Sequence, residues 1–110
     1  MSTPAGAKSI FELLKQRALE MRTVTYGELA EHAGLAKPGT GRPLGWIRDE
    51  ICRKRGLPWL NAIAVNAATH RPGVNFLPAE TSLASVDQEH LWRGMVLQVY
   101  CFDWKQIKFD

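Results

Sequence analysis

Cysteine is scarce in this chain: Cys52 and Cys101 are the only two in 110 residues. They lie far apart, match no metal-ligand spacing and read as reduced thiols of a cytosolic protein. A run of about 18 apolar residues is missing, which excludes a membrane-spanning helix. The opening MSTPAGAK lacks the apolar centre of a signal peptide, so residues 1–8 read as a loose leader. Repeats, low-complexity tracts and an interdomain linker are missing too. Neither sign of charge dominates. The net charge of +3 and pI near 9.1 are compatible with a nucleic-acid partner without diagnosing one.

What remains is an ordinary small globular composition, 45% hydrophobic and 23% charged, enough for one domain over residues 9–110. Ser9-Ile10-Phe11-Glu12 has the S-x-x-E capping form. Ile10, Leu13, Leu14, Ala18 and Met21 follow it at helical spacing. Thr25-Tyr26-Gly27-Glu28 repeats the device and opens a short helix through Leu29 and Ala33 that Gly34 ends. Residues 36–41 form a turn around Lys37, Pro38, Gly39 and Thr40. Lys37 precedes the glycines, the wrong order for a P-loop, and a backbone or lysine contact to a DNA phosphate suits it better.

The next helix spans about Arg42 to Arg55, with Pro43 in its first turn and Gly56 past its end. Leu44, Ile47 and Ile51 share the inner face. Arg42, Trp46, Asp49 and Arg53 form one straight outer stripe, widened by Arg48, Lys54 and Arg55. An indole on a wet basic face needs cover. Either it meets a partner or it leans onto the first helix or the chain's end. Leu57-Pro58 then breaks the helix. Residues 61–66 read as a buried apolar strand, and residues 67–73 turn it back into Val74–Leu77 as a hairpin with His70, Arg71 and Pro72 near its tip. Residues 78–84 connect to a last helix opened by the capping form at 85–88, carrying Leu91, Trp92, Met95, Val96 and Val99. Residues 102–109 read as a short strand or an extended tail over the core.

The order helix, turn, helix, wing gives an α+β fold: a small winged helix-turn-helix domain with a β-hairpin wing. VTYGELA at 24–30, RPLG at 42–45 and Leu57-Pro58 before an apolar segment resemble the C-terminal domain of the O6-alkylguanine-DNA alkyltransferases and the alkyltransferase-like proteins. The resemblance covers about half the chain. It implies a winged helix that binds the minor groove of double-stranded DNA. In that likeness Arg42 matches the arginine that fills the gap left by a flipped base, and Tyr26 matches the tyrosine against the flipped nucleotide's phosphate. The family's P-C-H-R-V motif is replaced here by Trp59-Leu60-Asn61-Ala62-Ile63-Ala64-Val65. That segment has neither a cysteine nucleophile nor an activating histidine. Cys52 has no histidine near it in sequence to act as its base. The helix from Arg42 to Gly56 is also about one turn longer than the family's.

The sequence therefore leads to a non-enzymatic DNA-binding protein, with no cofactor and no metal. Its expected nucleic-acid contacts are Tyr26, Lys37, Arg42, Trp46, Arg53 and Arg71. The alternative is a protein-interaction module on the same fold, docking through the Trp46 face beside the acidic Asp49 and Glu50. An alkyl-transfer enzyme is the least favoured reading.

Overall fold

The first helix, α1 (Ala7–Leu19), begins two residues before the Ser9 capping form. The computed structural model, which describes residues 3–73 and 85–109, shows why. Gly6 holds a left-handed conformation (φ 80°), and its carbonyl accepts the Ile10 N–H at 2.9 Å. A Cβ on Gly6 would be strained at that φ and would also press on Leu35 Cδ1, 2.7 Å away, so glycine suits the position. Ala7 is already buried. The inner face of α1 carries Ile10, Phe11, Leu13, Leu14 and Ala18. Met21 is not part of it: the helix ends at Leu19, and Met21 is 66% exposed.

Strand β1 (Val24–Thr25) leads directly into α2 (Tyr26–Ala33). The capping box forms as the sequence predicts. Thr25 Oγ1 accepts the Glu28 N–H, and Glu28 Oε1 accepts the Thr25 N–H, each at 3.1 Å. Gly34 ends the helix at φ 70°. The following turn is a single 3-10 turn, Lys37–Thr40.

The third helix departs from the expected geometry. It begins as α3 (Gly41–Trp46) and continues unbroken through a π-helical segment, Ile47–Arg53, before closing at Arg55. In a straight α-helix Cys52 would stand about 80° round the axis from Leu44. Hydrogen bonding from i to i+5 places more residues in each turn and swings Cys52 back. Leu44, Ile47, Ile51 and Cys52 can then all face the core, and all four are buried.

The segment expected as a strand over 61–66 is buried but mostly not extended. Leu60–Ile63 is a 3-10 turn, and only β2 (Ala64–Val65) is strand. Two bonds draw the turn tight: the Ala62 N–H reaches Trp59 O at 3.0 Å, and the Leu60 N–H reaches Cys52 Sγ at 3.5 Å. The partner of β2 is β1, in parallel, with Val24 opposite Ala64 and Thr25 opposite Val65. The return strand Val74–Leu77 and the connector 78–84 lie outside the described residues.

Helix α4 (Ser85–Cys101) crosses behind, anchored where Trp92 Nε1–H donates to Ala62 O at 2.7 Å. The tail turns through a 3-10 segment, Trp104–Gln106, and runs extended through 107–109. Trp104 is fully buried and donates Nε1–H to Val99 O at 2.8 Å, so the tail covers the core as expected. The whole is a small, mostly helical α+β fold with a two-stranded parallel sheet. No helix among the described residues is long and apolar enough to cross a membrane.

The burial pattern predicts a contrast. Ile51→Ala should destabilise the fold by about 2–5 kcal/mol, whereas Met21→Ala should stay within about 0.5 kcal/mol. Urea unfolding of both variants measures this; equal losses would contradict the register of the third helix.

Candidate nucleic-acid interface

Arg42 stands on the first turn of α3, exposed, and makes no hydrogen bond or ion pair among the described residues. Three glycines stand near it in sequence, at 39, 41 and 45, and each has room for a Cβ. A Cβ added at Gly41 would meet nothing within 4 Å. One at Gly39 would meet only Leu35 Cβ at 3.9 Å, and one at Gly45 only the Arg48 guanidinium at 3.8 Å. Arg42 is thus an exposed cation among glycine positions that add no side-chain bulk. Lys37 opens the 3-10 turn just ahead of it.

Trp46 follows one α-turn later. It is half-buried, and its indole stacks on Phe109 with centroids 5.5 Å apart and planes 29° apart. Of the covers open to it, the indole takes the tail. Its Nε1–H is buried without an acceptor.

The straight outer stripe does not survive the π segment. Asp49 and Arg53 are rotated away from Arg42 and Trp46 by the wider turn. Asp49 accepts two bonds from Arg48, both at 2.8 Å, and one from Arg53 at 3.2 Å. These bonds, first of all the one from Arg48, hold its carboxyl below the ordinary range. Arg53 lies over the Trp59 ring, 5.8 Å from its centroid. It therefore faces the 57–59 segment, while Trp46 faces the tail. Lys54 pairs with Glu50 at 2.6 Å, so much of the helix's positive charge is met by its own acids.

Tyr26 and Arg71 shape the loop after β2. The Asn66 N–H reaches Arg71 O and the His70 N–H reaches Asn66 O, each at 2.8 Å, which closes the loop over 66–71. Asn66 Oδ1 accepts the Ala68 N–H, and His70 takes a left-handed conformation (φ 58°). The Tyr26 hydroxyl accepts the Gly73 N–H, tying the loop to the start of α2. Burial of the phenol raises its pKa, with the Gly73 bond opposing. The Arg71 guanidinium reaches Glu89 of α4 at 2.8 Å. Both residues hold the loop in place, a job that the sequence did not disclose.

Three residues that sequence reasoning passed over cluster at the tail. Arg55 donates to Lys108 O at 2.7 Å and Phe109 O at 3.0 Å. Lys15 donates to Ile107 O at 2.7 Å. Phe109 also meets Phe11 edge-on at 5.6 Å. The only hint in sequence was the alternation near the chain's end.

Cys52 is built into the core. Burial pushes its thiol up to about 11, against the weaker opposing pulls of the Leu60 N–H and Arg55. A protonated, enclosed thiol is a poor nucleophile. At pH 8 a thiol-disulfide reagent should label the exposed Cys101 at once and Cys52 only on unfolding. The fold holds the Cys52 proton more tightly than the unfolded chain does. Its share of stability is therefore full below about pH 9 and falls as pH rises towards about 11. Denaturant titration of wild type and Cys52→Ala across that window tests the sign, since the alanine variant should lose less stability as pH rises.

No family model, no curated protein and no solved structure matches the chain, so the likeness to the alkyltransferase domains rests on VTYGELA, RPLG and Leu57-Pro58 alone.

Proposed function

We propose that this protein is a non-enzymatic DNA-binding module of winged helix-turn-helix type. In this reading α2 and the third helix form the helix-turn-helix pair, and the loop 67–73 serves as the wing. Arg42 carries the reading: among the described residues it is an exposed cation without a partner, set between Gly41 and Gly45 at the leading end of the third helix. Small residues let a phosphate backbone or groove wall come close, and a guanidinium projecting from them supplies the contact. The internally compensated Arg53 and Lys54 are set apart from it. The well-held 66–71 loop gives the wing a fixed shape, with Thr69 and His70 exposed at its tip.

Protein docking is the second reading. It is favoured by an open apolar groove lined by Leu57, Pro58, Trp59, Met95 and Phe102. Aromatic-rich apolar surface is the usual centre of a protein interface.

Mobility shifts of plain duplex DNA at two salt concentrations separate the two. Wild type should bind, and more weakly at high salt. Arg42→Ala should lower affinity and reduce the log–log salt slope by about 0.9, one phosphate contact. Arg53→Ala, already paired with Asp49, should change the slope little. If no duplex binds, or if Arg42→Ala and wild type bind alike, the DNA reading falls and the groove becomes the site to pursue.

A further inference from the structure

Residues 107–109 lie over the third helix in an unusual way. Towards the rest of the fold this strap offers backbone carbonyl oxygens held by cations: Ile107 O by Lys15, and Lys108 O and Phe109 O by Arg55, while the Ile107 N–H closes the preceding turn onto Trp104 O at 3.1 Å. Phe109 stacks on Trp46 and is flanked by Phe11, and Ile107 packs on the core beside it. Neither Lys15 nor Arg55 forms an ion pair among the described residues. Neutral carbonyls leave both formal charges uncancelled, so among the described residues two cations with no acid bound to them lie at the aromatic cleft formed by Phe11 and Trp46. The buried Trp46 Nε1–H has no acceptor while the strap is down.

We propose that this cleft is a binding site for single-stranded nucleic acid, and that the strap fills it in place of the ligand. The phenyl ring of Phe109 stands where a base would stack. The carbonyl oxygens of 107–109 stand where phosphate oxygens would meet Lys15 and Arg55. Bases stack on aromatic rings whatever their sequence, and cations bind a phosphate more strongly than a neutral carbonyl. The unpaired indole N–H gives an arriving nucleotide one donor that the strap leaves unused. Trp46 is one α-turn from Arg42, so the cleft adjoins the duplex-binding patch. The inference extends the DNA reading but does not need Arg42.

The test uses the full chain and a fluorescein-labelled oligothymidylate, read by anisotropy and by tryptophan quenching. Phe109→Leu keeps the apolar cover of Phe11 but loses the stack on Trp46; Phe109→Ala loses both. Either variant, if folded by its thermal transition, should bind the oligonucleotide at least about fivefold tighter than wild type. Adding Arg55→Ala or Trp46→Leu should remove that gain, whereas adding Arg42→Ala should leave it. In wild type, saturating oligonucleotide should move the Phe109 ring-proton resonances, which the stack on Trp46 displaces, towards their free positions. Unchanged affinity in a folded Phe109 variant overturns the proposal. So do unmoved Phe109 resonances in wild type, a reading that needs no variant to fold. Binding of a synthetic peptide WKQIKF by the Phe109 variants, with no oligonucleotide binding, also overturns it and makes the cleft a peptide cradle. If the Arg42 duplex test fails while the Phe109 gain appears, the DNA reading fails and this one stands.

Discussion

The π-helical segment Ile47–Arg53 decides what both sides of the third helix can do. A helix of fixed α period offers one narrow apolar stripe, and Cys52 would lie at its margin. The wider turn brings Leu44, Ile47, Ile51 and Cys52 onto one inner face, where they meet α1 and the Leu60–Ile63 turn. Cys52 then reaches far enough inward for its sulfur to accept the Leu60 N–H. That bond fixes the start of the segment that ends in β2, so the sheet depends on the helix's irregularity. The same rotation sorts the outer surface. Arg42 and Trp46 stay together on the regular α portion, and Arg53 is carried round to Trp59.

Charge on this surface is divided into two kinds. Arg48, Arg53, Lys54 and Arg71 spend their charge on carboxylates of the same molecule. Such exposed pairs contribute little stability, about 0–1 kcal/mol each, but they quench local potential. Among the described residues, Arg42, Lys15 and Arg55 are not quenched in this way. A count of basic residues along the helix treats all of them alike. The pairing pattern separates the cations whose charge is met within the molecule from those best placed to meet an external anion.

Features set by neighbours in sequence were legible before any coordinates. The Thr25–Glu28 capping box, the glycine stops at Gly34 and Gly56, and the burial of Ile47 and Ile51 all follow from spacing over one or two turns. Features set by distant partners were not. The left-handed Gly6 that opens α1 two residues early also lies against Leu35, a neighbour that no local pattern announces. Trp46 finds its cover in Phe109, on a segment whose partial alternation did not say what it would cover. The parallel pairing of β1 with β2 leaves no trace in two-residue strands. A π segment is likewise invisible to a reading that assumes one helical period. The Arg42–Arg53 stripe failed on that assumption, while Arg42 itself, placed by a local motif, stood where its spacing put it.

The two-residue sheet also has a bearing on how the chain folds. Val24 and Ala64 pair although they stand 40 positions apart in the chain. So small a ladder cannot repay the entropy of closing so long a loop by itself. The strands can meet only after α2 and the third helix have settled on α1 and shortened the path between them. The sheet is then a late latch that reports completion: its amides should gain exchange protection only in the last kinetic phase, once every helix it spans is in place.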